Sequence, residues 1–309
     1  MSWKNDVGFG NAFNLVNKAA GKASMAKGDK LRFRNIDVWA GSSGGAPTIM
    51  KITDHAAKLS GKLLDSITQE LAESQQSSKF FNMFSGSNSL VDASGFDLSG
   101  VSLSENCFNS MFQSCTSLTA APQLPATTLA VNCYNAMFRN CTSLTAAPQL
   151  PATTLADGCY ESMFYVCPSL TQAPALPATT LADSCYNGMF GDCTSLTQAP
   201  ALPATTLAGY CYGGMFSGCT SLTQAPALPA TTLAFSCYGG MFSGCTSLTQ
   251  APALPATTLA GNCYNSMFSV CTNIAELHYP ASVQNDSTFT GMSGSPWFGA
   301  TNATVHYDL

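Results

Sequence analysis

A chain of 309 residues is long enough for two ordinary domains or for one elongated repeat array. Charged residues make up only 9% of it and no run of apolar residues is long enough to cross a bilayer, which excludes a conventional highly charged surface and a membrane-spanning helix. Eleven of the 12 Lys and Arg and seven of the 17 acids fall in the first 79 residues, so that segment is positive by four and the remainder negative by nine, a division that marks two units and is too slight to imply nucleic-acid binding.

The opening residues, from Met1 to Phe13, lack a basic stretch followed by an apolar one, and no secretory leader is expected there. Leu31-Arg32-Phe33-Arg34 alternates and Ile36, Val38 and Trp39 extend the apolar run. A loop at Gly41-Ser42-Ser43-Gly44-Gly45 and a return strand over 48–52 complete a predicted β-hairpin. Asp54 is placed to cap a helix over about 55–75, with Leu59, Leu63, Ile67 and Leu71 along one face. That face is expected to pack on the hairpin, or on the same helix of other copies as an oligomer and anchor contact. Ser74-Gln75-Gln76-Ser77-Ser78 reads as a linker. Residues 1–79 thus read as a small α+β head.

A repeat governs the rest. Cysteines fall at 107, 133, 159, 185, 211, 237 and 263, and again at 115, 141, 167, 193, 219, 245 and 271, all in steps of 26. A fixed period of this size is the signature of a repeat stack, in which each unit needs its neighbours to bury its apolar face. Phe80-Phe81-Asn82-Met83-Phe84 looks like a first turn without cysteines, and Asn273-Ile274-Ala275-Glu276-Leu277 starts a degraded last one. Tyr134, Met137, Phe138 and Cys141 follow an i, i+3, i+4, i+7 spacing, which predicts about two helical turns with that face inward. Leu144, Leu150 and Leu155 are further core anchors. Pro148 and Pro151 cannot donate to a ladder, so any strand there must be short.

The segments MFRNCTSLTAAPQLP and MFSGCTSLTQAPALP resemble the leucine-rich repeats of the BspA-like, or Treponema pallidum, type, over about residues 80–280. The resemblance implies a right-handed solenoid with a parallel sheet, and a family found in bacterial surface adhesins and in tail proteins of gut-bacterium phages. The expected fold is therefore an α/β repeat solenoid of the leucine-rich-repeat type behind an α+β head, with residues 281–309 as a C-terminal capping segment. Its unit has more prolines than the commonest one of that family.

Cysteines eight apart on a helical segment would lie about 12 Å apart, beyond the reach of a disulfide. No C-x-x-C occurs, and His55, His278 and His306 lie outside the regular repeats, so no metal site is expected. The cysteines read instead as small buried residues with free thiols. Catalysis needs a nucleophile, a base and an orienting group, or paired carboxylates. The repeats offer no histidine, and Asp157 and Glu161 read as a solvated pair rather than a dyad. No enzyme activity and no cofactor are expected.

Within the repeats the variable positions lie just before the first cysteine, after the tyrosine, and just before the second cysteine. Arg139, Tyr165, Asp192, Tyr210 and Phe235 are the candidate ligand-binding residues, because exposed aromatics are enriched at interfaces. A second candidate is the polar ladder Gln172, Gln198, Gln224 and Gln250. Trp297 and Phe298 read as a cap on the last coil. The expectation is a virion protein of the phage tail-fibre, receptor-binding type. Its head would join other virion proteins, as a homo-oligomer with a trimer expected, and its repeats would bind a host-surface glycan or protein. A bacterial surface adhesin and a purely structural virion spacer are the alternatives; neither nucleic acid nor membrane insertion is expected.

Overall fold

The computed structural model describes residues 7–9, 31–33, 57–63, 77–284 and 303–308. Among the described residues six strands pair in three parallel couples. β1 (Val7–Phe9) pairs with β2 (Leu31–Phe33), β3 (Ala57–Lys62) with β4 (Leu90–Asp97), and β5 (Glu276–Tyr279) with β6 (Thr304–Tyr307). Between β4 and β5 the repeats stack as coils, and their hydrogen bonds show how.

The segment from Ser104 to Cys115 is a ribbon of overlapping turns. Alternate N–H groups close turns within the coil: Cys107 donates to the Ser104 carbonyl, Asn109 to Asn106, Met111 to Phe108, Gln113 to Ser110 and Cys115 to Phe112, at 3.0–3.2 Å. The intervening N–H groups reach the next coil: Asn106 donates to Val131, Phe108 to Cys133, Ser110 to Asn135, Phe112 to Met137 and Ser114 to Arg139, at 2.8–2.9 Å. Every N–H from Asn106 to Cys115 is therefore used once, either within the coil or between coils, as a buried backbone requires. The pattern recurs from coil to coil.

This ribbon corrects the predicted helical face of the repeats: the described residues contain no α-helix, and turns stand where the helical part of each unit was expected. Burial nevertheless follows the expected spacing. Tyr134, Met137, Phe138 and Cys141 are all buried, joined by Cys133 and Leu144. The ribbon turns two residues in and two out, a period of four. Over eight residues, that period and the 3.6 of a helix select the same side chains.

The turns demand a left-handed residue at every fourth position. Asn106, Ser110 and Ser114 have φ of 55°, 56° and 58°, and the same columns later hold Gly188, Gly214, Gly240 and Gly244. A positive φ in the second central position is the demand of type II turns, met most easily by Gly and Asn. Val166, Tyr210 and Val270 occupy these columns at φ of 59°, 56° and 63°, where a bulky or β-branched residue is strained. A Cβ added at Gly214 would meet nothing within 4 Å, so only the backbone opposes a side chain there. Gly214→Val is therefore expected to cost about 2 kcal/mol, whereas Val270→Gly, at a site 56% exposed, should gain about 1 kcal/mol. Urea unfolding of both variants checks the pair; equal and opposite signs reversed from these would remove the strain argument.

The other side of each coil is extended. Pro148, Leu150 and Ala152 point inward while Gln149, Pro151 and Thr153 face out. With prolines inside the run, ladder pairing shrinks to single parallel bridges such as Ala120 to Ala146, Gln198 to Gln224 and Thr180 to Thr206.

The core is built of ladders. One runs from Phe80 and Phe108 through Tyr134, Tyr160, Tyr186, Tyr212 and Tyr238 to Tyr264, rings stacked 5.3–6.0 Å apart. A second runs from Phe84 to Phe268 at 5.4–5.7 Å. An edge-on ring stands at either end of the stack, Phe96 against Phe84 and Tyr279 against Tyr264, so the stacking stops there. All fourteen cysteines are buried, and none is in a disulfide. Each thiol of the second column donates to a phenylalanine carbonyl of the preceding coil, as Cys141 Sγ does to Phe112 at 3.1 Å, and that carbonyl also accepts the Cys115 N–H. The column from Cys115 to Cys271 repeats this contact throughout. A sulfur at this position therefore both fills the core and satisfies a second lone pair.

Two expectations for the head are corrected. Residues 57–62 form a strand, not part of a helix over 55–75, and they pair in parallel with β4. Leu59 and Leu63, expected at a contact with other copies, are buried in this chain's own core beside the first coil. Lys58 Nζ, 3.0 Å from Asp92 Oδ2, ties the two strands further. Ile67, Leu71 and the linker over 74–76 lie outside the described residues, as do Trp297 and Phe298. β2 begins where the hairpin was predicted, but its observed partner is the parallel β1; the return strand over 48–52 is outside the described residues.

Candidate functional site

The variable positions are the outward residues of the turn ribbon, so they project from the rod where the invariant ones fill it. The structure gathers the five candidates into two groups at opposite ends of the ribbon. Arg139, Tyr165 and Asp192 form the first. The Arg139 guanidinium lies 5.2 Å from the centre of the Tyr165 ring, a cation–π contact between neighbouring coils. The Tyr165 ring continues over Gly191, where an added Cβ would come within 2.6 Å of it. The Asp192 carboxylate beside Tyr165 raises its phenol above the ordinary value, with Arg139 acting the opposite way. Glycine at 191 is thus the condition for the tyrosine to lie flat.

Tyr210 and Phe235 form the second group. Both are 46% exposed, and their rings meet edge to face at 5.3 Å. Phe235 lies over Gly261, where a Cβ would sit 3.3 Å from the ring. The backbone beneath is pinned by a carboxylate ladder: Asp157 Oδ1 accepts the Asp183 N–H at 3.1 Å, and Asp183 Oδ1 accepts the Gly209 N–H at 2.7 Å. Glu161 is occupied elsewhere. Its Oε2 accepts from Asn135 Nδ2 at 3.0 Å, and burial raises its carboxyl above the usual range. Asp157 and Glu161 therefore belong to separate structural contacts and form no dyad.

On the extended side the exposed residues are uniform. Gln172, Gln198, Gln224 and Gln250 line up on successive coils beside Thr171, Thr197, Thr223 and Thr249, all exposed. A further pair of threonine rows, from Thr127 and Thr128 to Thr257 and Thr258, flanks them. These rows offer hydroxyl and amide groups at the coil repeat, and charge enters only at the ends of the column, with Asp92 in the first coil and Glu276 in the last.

Two histidines that the sequence reading set aside as lying outside the regular repeats come together at the C-terminal end. His278 and His306 are register partners across β5 and β6, and their rings stack 4.8 Å apart. The Asp308 carboxylate, 2.8 Å from His278 Nδ1, raises the histidine above its ordinary value. The matching alternation of Glu-Leu-His-Tyr and Thr-Val-His-Tyr was the available signal. Among the described residues no helix is long and apolar enough to cross a membrane.

No family model matches the chain, and no curated protein matches it. Among solved structures, the chain has a distant likeness to a leucine-rich repeat protein from Eubacterium ventriosum. The two are 12% identical, the match covers 62% of this chain and 72% of that one, and the TM-score is 0.18.

Proposed function

We propose that the chain is a non-enzymatic recognition rod of the leucine-rich-repeat solenoid type, carried on a phage virion, whose ribbon edge binds a host-surface glycan or protein. The observation that supports this reading most is the Tyr210–Phe235 pair. The other exposed large apolar side chains of the described residues, Val131 and Val270, are single valines, whereas two adjacent half-exposed rings on a rigid backbone form a ready contact platform. The neighbouring polar ladders suit a hydrated, uncharged partner such as a sugar chain. The Arg139–Tyr165–Asp192 row extends the same surface chemistry to the other end of the ribbon.

Binding to intact host cells tests the proposal. Phage carrying the chain truncated after residue 79 should fail to attach, and Tyr210→Ala with Phe235→Ala should weaken attachment at least about tenfold without lowering the melting temperature. Normal attachment by the truncated form would reduce the repeats to a spacer. Gold-labelled antibodies against residues 80–309 should decorate a virion appendage; label on uninfected cells instead would make the chain a cellular adhesin.

A further inference from the structure

β5 and β6 pair in parallel with His278 opposite His306 and Tyr279 opposite Tyr307. Leu277 and Tyr279 point into the core, so the period of two sends Glu276 and His278 to the outer face together. Strict register then stacks the two imidazoles, 4.8 Å between centres and 12° between planes. Asp308 Oδ1 holds His278 Nδ1 at 2.8 Å, which leaves His278 Nε2 facing Glu276 Oε2 at 3.5 Å. A histidine fixed through one nitrogen by a carboxylate presents the other as a metal ligand. His306 Nε2 is buried and has no hydrogen-bond partner. One ligand atom from each of Glu276, His278 and His306 lies within 4.8 Å of the others.

We propose that Glu276, His278 and His306 form a binding site for a divalent transition-metal cation of the zinc type, with Asp308 as the orienting residue. Two imidazole nitrogens and one carboxylate oxygen match the donors that zinc takes, whereas calcium and magnesium take oxygen alone. Tetrahedral coordination at zinc distances needs donors about 3.3 Å apart, which small side-chain rotations supply. The ligands come from two strands separated by residues 280–303, so the cation ties β6 to β5 and fastens the end of the stack. The fourth position is left for water or a partner's donor. The fourteen thiols do not compete: all are buried away from this surface, and burial raises those of Cys107 and Cys115, for example, above the ordinary value.

Calorimetric titration of the untagged, chelator-treated full chain with Zn²⁺ tests the site. One ion per chain should bind with a dissociation constant in the micromolar range or below. His278→Gln and His306→Gln should each weaken binding at least about tenfold, and Asp308→Asn by about tenfold, with circular dichroism unchanged. Co²⁺ should give visible d–d bands without a near-ultraviolet sulfur charge-transfer band. Failure of the wild-type chain to take up zinc overturns the proposal. So does equal uptake by the His278→Gln, His306→Gln double variant, or a cobalt spectrum dominated by thiolate.

Discussion

Raising the pH from 8 to 10 under reducing conditions is expected to unfold the stack without denaturant. Burial pushes the Cys115, Cys159, Cys167, Cys211 and Cys219 thiols up to about 12, and Cys107 and Cys271 to about 11. The remaining thiols with a resolved shift move in the same direction, for the same reason. In the unfolded chain a thiol titrates near 9. Below that pH both states hold their protons and nothing is lost. Above it the unfolded chain releases protons that the folded chain keeps, so stability falls as pH rises. Each thiol contributes about 1.4 kcal/mol of loss per pH unit, up to its folded value. Many such groups acting together exceed the roughly 5–15 kcal/mol that holds an ordinary domain folded. The buried tyrosines, raised by burial as well, act in the same sense at higher pH.

Circular dichroism against pH should show one steep, reversible transition. At pH 7.5 the native chain should leave a thiol reagent almost unconsumed, since only thiolates react, and denaturation without reductant should expose all 14 thiols. Survival of the stack at pH 11, or a denatured count well short of that number, would contradict the buried thiol ladders.

Met215→Asp carries the second large expected effect. Met215 has no exposed surface, sits between the tyrosine and phenylalanine ladders, and lies in a ribbon bonded to both neighbouring coils: Phe190 donates to its carbonyl at 2.9 Å, and Phe216 beside it donates to Met241 at 2.9 Å. A carboxylate there has no cation to pair with in the ribbon, and its desolvation costs several kcal/mol. The midpoint of thermal unfolding should fall by roughly 10 °C, with the coils on either side melting separately because each coil depends only on its neighbours. Met215→Leu keeps the volume and should cost less than about 1.5 kcal/mol. An unchanged midpoint for the aspartate variant would place the Met-Phe face outside the core.

Much of this architecture is legible in residues that repeat. The 26-residue step locates the coils, and the recurrent Cys, Tyr, Met, Phe and Leu are the residues the core buries. Turn and helix are harder to separate. Tyr134 to Cys141 fit either period, but Gly213-Gly214 and Gly239-Gly240 do not fit a helix interior, where each glycine costs about 1 kcal/mol. Read with Asn and Ser in the same columns, they mark a left-handed residue every fourth position.

The candidate site divides in the same way. Tyr210 and Phe235 stand out from their columns by sequence alone, but only the stacking of coils brings their rings together over Gly261. Leu59 and Leu63 form a helical stripe on paper, and it is the pairing of β3 with β4 that turns their segment into a strand of the first coil. His278 and His306 show no ligand spacing along the chain; the register of β5 and β6 makes them neighbours. Local periodicity is a property of one segment, so the sequence by itself determined which residues face inward and how often the coil repeats. Strand partners, the stacking of the ribbons and the histidine pair rest on hydrogen bonds between segments 24 or more residues apart, and only the tertiary structure decided those.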